Sequence, residues 1–199
     1  MAYPSVSAPY GLLPINLIGG QVFAGATRQI PIATNSATAI FYGDVVKLDS
    51  TGYLAKDTGT TAATPVGVFL GCSYTDPTFG KTFRQSYPGT TNVTDVVAYV
   101  QDDPDALFKV AVVSSGTTIS SITRASVGKN STLVQNSGNS ITGNSRVAVT
   151  ATTANTATLP VRIIDVVPET SPAGSPGSFT EVIVKWNQGM HQYLNPTGI

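Results

Sequence analysis

The chain has 199 residues, enough for one domain or two small ones, and buries about 70% of its unfolded surface at this size. Charged residues are 11% of it, with 11 basic residues balancing 11 acidic ones, where an ordinary soluble domain carries about 25%. That balance argues against the basic patch of a nucleic-acid binder and the basic amphipathic helix of a membrane-surface protein. Neither nucleic acid nor a membrane is therefore an expected partner.

Residues 1–27 carry no charge; Arg28 is the first. Pro4, Pro9, Pro14 and the Gly19-Gly20 pair oppose a regular helix. Yet Tyr10, Leu12, Leu13, Ile15, Leu17, Ile18, Val22 and Phe23 are too apolar for a disordered tail. The reading adopted is an extended N-terminal arm lying on another subunit, with a reach of about 90 Å at about 3.3 Å per residue; an edge strand on the parent core is the alternative. The segment lacks the basic region of a signal peptide, and no run approaches the roughly 18 apolar residues of a spanning helix. Synthesis in a cytoplasm follows as the expectation.

Residues 28–39 (RQIPIATNSATA) suit a strand and a polar turn. In residues 43–49 (GDVVKLD), Val45 and Lys47 point one way while Val46 and Leu48 point the other, the two-residue period of a strand. Asp49-Ser50-Thr51-Gly52 suits a type I turn, with Asp at its first position and Gly at its last. After a Thr/Ala-rich loop ended by Pro65, residues 66–70 form an apolar run suited to a strand buried on both faces. Residues 72–94 read as a long irregular stretch with Tyr74, Phe79, Phe83 and Tyr87, of the kind that usually bears interactions.

Residues 95–100 (DVVAYV) and 107–113 are strands on either side of an acidic turn, Asp102, Asp103 and Asp105. Beyond residue 114 the chain is rich in Ser, Thr, Asn and Ala, with strands at 147–149, 159–167 and 179–186 and a hairpin loop at 168–177. Along residues 181–186, Glu181, Ile183 and Lys185 alternate with Val182, Val184 and Trp186. The closing residues 187–199 read as a second arm. With only two glutamates, Glu169 and Glu181, against 19 glycines and 13 prolines, helix formers are scarce and strand formers plentiful. The expected fold is mainly β, with barrel-like lobes at 28–113 and 114–190, an N-terminal arm at 1–27 and a C-terminal tail at 191–199.

Little in the sequence carries chemistry. His191 is the only histidine and Cys72 the only cysteine. Any Ser/His/Asp or Cys/His machine must use His191, which is read as a tail residue, packed beside Tyr193 or exposed. One His and one Cys do not make a zinc site, and no disulfide can form within the chain. Cys72 reads as a small buried hydrophobe. Asp102, Asp103 and Asp105 are the best metal candidate, for calcium. The competing reading is a turn in which Asp103 caps and Pro104 opens. Gly128-Lys129-Asn130-Ser131-Thr132 lacks the upstream glycine and the Ser or Thr after Lys that a phosphate loop needs. No cofactor is implied, and the chain is read as non-enzymatic.

Several segments resemble the decoration (cement) proteins that coat tailed-phage heads, the type found on phage lambda and in marine and cyanobacterial phages. These are Gly43-Asp44-Val45-Val46 with Pro65-Val66-Gly67-Val68; Pro9-Tyr10-Gly11-Leu12-Leu13-Pro14; Val97-Ala98-Tyr99-Val100 with the acidic turn and Ala106-Leu107-Phe108; and Val182-Ile183-Val184-Lys185-Trp186-Asn187. The resemblance implies a small β-barrel or β-tulip core on the outer face of the virion. It also implies homotrimers at three-fold and quasi-three-fold positions, with the major capsid protein as partner. The uncharged arm, Tyr10 to Phe23 in the set above, then becomes the expected capsid contact. A second reading is a β-sandwich on the virion that binds a carbohydrate or receptor through Tyr74, Tyr87 or Trp186.

Overall fold

A computed structural model describes residues 6–90, 92–172 and 174–198. Its strands fall into two main sheets. The first takes β2 (Arg28–Pro31), β3 (Val45–Leu48), β4 (Leu54–Lys56), β5 (Gly67–Asp76), β6 (Gly80–Arg84) and β7 (Val97–Gln101). Their order is β2-β7-β5-β3-β4, with β6 beside the far end of β5, and a parallel bridge from Ile32 to Leu54 brings the two ends together. The second takes β1 (Leu13–Leu17), β8 (Ala106–Ser115), β9 (Thr118–Ile119), β11 (Asn130–Val134), β12 (Ala148–Ala154), β13 (Val161–Val166) and β15 (Glu181–Trp186). In it β8, β12, β11, β13 and β15 pair in turn and β15 returns to β8, closing a five-stranded barrel. A short ribbon joins β10 (Ile122–Thr123) to β14 (Ser178–Phe179). The fold is mainly β, as expected, and among the described residues no helix is long and apolar enough to cross a membrane.

Local chemistry sets the register where the sequence pattern is strong. At the β3–β4 turn, Asp49 Oδ1 accepts from the Thr51 N–H at 2.8 Å, and the Gly52 N–H donates to the Asp49 carbonyl at 2.9 Å. The alternation along β15 puts Val182, Val184 and Trp186 into the barrel core. The period of two along β3 and β5 has a larger consequence. Val45 and Val68 enter the core built around Phe108, Leu133 and Ile163, whereas Val46 and Phe69 enter the core built around Ile40, Tyr74 and Tyr87. The expected strand buried on both faces is thus a wall shared by two cores.

Four expectations are corrected. Tyr10 to Leu17 do not form a free arm; residues 1–5 of that expected arm lie outside the described residues. Leu12 is buried in the second core, and β1 pairs antiparallel with β8, from Leu13 opposite Lys109 to Leu17 opposite Ala106. An edge strand hides more apolar area on its own barrel than solvent exposure leaves, so the parent core wins. The closing segment is likewise docked: the Gln192 side chain bonds both the N–H and the carbonyl of Leu48, at 2.7 and 2.9 Å, and its backbone N–H reaches the Pro65 carbonyl; residue 199 lies outside the described residues. Finally, β8 belongs wholly to the second sheet, so the lobes divide at residues 102–105 rather than after Val113. The stretch 72–94 is also less irregular than expected, since β5 runs to Asp76 and turns into β6.

The lobes are tied through one buried carboxylate. Asp44 receives Lys56 Nζ at 2.8 Å, the Ser145 hydroxyl at 2.6 Å and the Phe41 N–H at 2.9 Å. Removing it leaves a largely buried ammonium without its counter-charge, a loss of about 3–5 kcal/mol. Asp44→Ala should lower the unfolding free energy by about that amount in urea titrations, and Asp44→Asn, which keeps an acceptor for Phe41, by less.

Candidate functional site at the lobe junction

The linker between β7 and β8 organises the junction. Asp103 closes a turn, its Oδ1 accepting from the Asp105 N–H at 2.8 Å and its carbonyl from the Ala106 N–H at 3.1 Å. Asp102 faces the other way and holds Arg28 Nε at 2.5 Å and the Tyr193 hydroxyl at 2.9 Å. Arg28 also lies over the Tyr193 ring, 5.3 Å from its centroid. Burial, followed by the bond to Asp102, pushes the Tyr193 phenol up to about 12. Asp105 pairs with Lys185 Nζ at 2.9 Å. The three carboxylates thus serve separate partners, the turn reading holds, and no group of three His, Cys, Asp or Glu is poised to hold a metal among the described residues.

The eight apolar residues of residues 10–23 divide here. Tyr10 donates its hydroxyl to Glu181, with Lys109 Nζ 3.5 Å from the same carboxylate oxygen. Burial and that carboxylate push the Tyr10 phenol well above its usual range. Leu12 is core, and Leu13, Ile15 and Leu17 are half-buried along β1. Past β1 the chain turns outward: Ile18 is 50% exposed and Val22 74%, and half-buried Phe23 lines a groove with Arg28, Asp102 and Asp103. Tyr193 and Leu194 are exposed on the same junction. The segment and the acidic turn, separate in sequence, are therefore one surface.

Beside it lies a cavity of about 350 Å³ whose wall includes Ile18, Pro104, Arg162, Trp186, His191 and Leu194. His191 is buried rather than exposed. It is packed edge-on against Tyr193, centroids 5.1 Å apart, and its Nδ1 accepts from the Tyr193 N–H at 3.3 Å. Burial lowers its pKa; the carbonyls of Val66 and Asp102 favour the charged form less strongly, and neither meets Nε2 in hydrogen-bond geometry. Cys72 sits in the other core, where burial lifts its thiol to about 12. A Cys/His pair is therefore not assembled, and the thiol is far from the thiolate that nucleophilic chemistry requires.

The aromatic residues of the carbohydrate reading are all interior: Tyr74, Tyr87 and Trp186 are core side chains and offer no stacking platform. The most exposed aromatics among the described residues are instead Phe79 and Phe83 on the β5–β6 hairpin, ahead of Tyr53 and Tyr193. A turn signal is present in the sequence, since Asp76-Pro77 followed by Gly80 marks a hairpin tip. Nearby, Asp95 accepts from the Thr75 N–H and hydroxyl at 2.8 and 2.7 Å, and these bonds hold its carboxyl down at about 2. Comparison with protein-family models, with curated proteins and with solved structures returned no match.

Two pH effects follow in separate windows. His191 is held neutral in the fold but takes a proton near 6.5 when unfolded, so the unfolded chain binds more protons below that value and stability falls as pH drops from about 7 to about 5. His191→Gln should flatten urea midpoints across that window. Asp95 contributes stability above about pH 4 that is lost as pH falls towards about 2, and Asp95→Asn should flatten only the acid limb.

Proposed function

We propose that this chain is a non-enzymatic virion protein that decorates the outer surface of a tailed-phage head and clamps neighbouring major capsid protein subunits. The reading extends the sequence resemblance. The observation that carries it is the gathering of Ile18, Val22, Tyr193 and Leu194 at the lobe junction, all with exposed apolar surface. The charges around them are already paired, Arg28 with Asp102 and Lys185 with Asp105. A partner can therefore cover these two pairs without burying an unmatched charge, which would cost several kcal/mol.

Clamping a pressurised shell calls for area rather than chemistry. A stable interface takes about 800 Å² from each partner, a small part of the 9430 Å² that this chain exposes. Repetition over many copies multiplies modest contacts by avidity. As a homotrimer at three-fold and quasi-three-fold positions, the chain would present three junctions to the capsomers. It would be made in the host cytoplasm and reside on the virion.

Deleting residues 10–24 is a poor test, because it removes β1 and the buried Leu12. The double substitution Ile18→Asp with Val22→Asp touches only exposed positions. Purified protein should bind expanded heads lacking it, saturably on co-sedimentation, and raise their disruption temperature. The double variant, with an unchanged unfolding transition, should bind at least about tenfold more weakly, since each buried unpaired charge opposes docking. Wild-type protein that fails to sediment with heads sinks the proposal; a double variant that saturates them normally sinks the assigned surface.

A further inference from the structure

Among the described residues, β6 pairs with β5 on one side and with no strand on the other. Along that free edge alternate residues turn a backbone N–H and carbonyl outward, a template on which another extended chain can add. Natural sheets often blunt such an edge with a charge standing over it, most often lysine. Here both cations of β6 are drawn back across their own sheet. Lys81 stands opposite Thr75 and reaches past it to Asp95, with Nζ 3.4 Å from Oδ2. Arg84 lies over the ring of Tyr74 on β5, 5.8 Å from its centroid, with Nη2 4.0 Å from Asp76. What the edge presents instead is Phe83, 71% exposed, beside Phe79 at the hairpin tip, 76% exposed.

An occupant of this edge must offer extended backbone, and it must bring no net charge because the nearby charges are already matched. A second copy of β6 meets both demands. A two-fold axis normal to the sheet must then pass through a residue, since facing residues of an antiparallel pair share one side of the sheet. Through Lys81, the axis sets like charges directly opposite each other, which opposes pairing. Through Phe83, it leaves Gly80 and Lys81 facing residues beyond the end of the strand. Through Thr82, all 5 residues of β6 pair. Lys81 then faces Phe83 of the second copy, Arg84 faces its Gly80, and no like charges meet.

We propose that two copies of this chain pair antiparallel through β6 on a two-fold axis at Thr82, each Phe83 packing along the aliphatic stem of Lys81 in the other copy. This contact does not depend on the virion reading and is separate from any three-fold contact; in a trimeric protein it would join trimers in pairs. One short strand and two phenylalanines from each copy fall below the roughly 800 Å² a side of a standard interface. The pairing is therefore weak and rises with concentration.

Thr82→Cys sets two thiols opposite each other on the axis, with Cβ atoms about 5 Å apart, close to the span of a disulfide. Cys72 is buried and stays out of the reaction. Under mild oxidation Thr82→Cys should form covalent dimers at least about tenfold faster than Ser175→Cys, which places a thiol on an exposed loop away from the edge. Adding Phe83→Asp to Thr82→Cys should remove that advantage, and its exposed position should leave the urea transition unchanged. Amide hydrogen exchange needs no substitution: the outward N–H groups of β6 should gain protection as the unaltered protein is concentrated. Thr82→Cys dimerising no faster than Ser175→Cys overturns the proposal. So does protection of β6 that arises only when expanded heads are added, which gives the edge to a capsid strand instead.

Discussion

The Asp44 carboxylate has no exposed surface, and the groups that satisfy it come from three separate parts of the chain. Lys56 arrives from β4, Ser145 from the approach to β12, and the Phe41 N–H from the turn before β3. Taking a carboxylate out of water costs several kcal/mol, and only a full set of short, charge-assisted bonds offsets it. The arrangement is therefore cooperative: the ends must be in place together. Ser145 is fixed in turn by the Val147 N–H at 3.0 Å, and the Val147 carbonyl accepts from Gly11 at 3.1 Å. One ionised group thus holds the first lobe, the second lobe and the strand ahead of both.

The same point explains two glycines. Gly11 and Gly43 both have positive φ, 90° and 88°, and their backbones are in contact, with the Leu12 N–H donating to the Gly43 carbonyl at 3.0 Å. A Cβ on Gly11 would stand 2.7 Å from the Ser145 Cβ, and one on Gly43 would stand 3.2 Å from the Gly11 Cα. Any side chain here separates the strand leading into β1 from the strand leading into β3, and with it Ser145 from Asp44. The two motifs that open the resemblance to decoration proteins, Tyr10-Gly11-Leu12 and Gly43-Asp44-Val45, are thus opposite sides of one contact.

How much of this could be read from sequence depended on the range of the interaction. The Asp49 turn, the two-faced burial of residues 66–70 and the alternation of β15 are encoded within a few residues, and they stand in the structure as expected. What failed was decided by distant partners. Residues 10–17 read as an arm because nothing nearby announces that Glu181 receives Tyr10 or that β8 has an open edge beside Leu13. The parallel pairing of β12 with β8 at Val112 and Val113 closes the barrel, yet the Ser/Thr-rich stretch between them offers little hydrophobic contrast. β11, at Asn130–Val134, shows no clear strand period for that reason. At the junction, the acidic turn was legible as a turn, but its union with Ile18, Val22 and the closing segment was not.

The scarcity of charge becomes intelligible at this level. Seven ion pairs among the described residues engage seven of the 11 basic side chains and seven of the 11 acidic ones. Apart from the buried Asp44–Lys56 pair, the more exposed of these contribute little to stability, so their effect is on what the surface offers to others. With cations and anions matched within the molecule, the long-range field is weak and steering of a charged partner is slight. Recognition is left to short-range features: apolar side chains at the junction and neutral hydroxyl and amide groups around them. Such a surface holds a partner through contact area and shape rather than through attraction at a distance. That is the physics the proposed clamp on a repeating shell would require, because each copy would have to settle into a fixed site after it arrives.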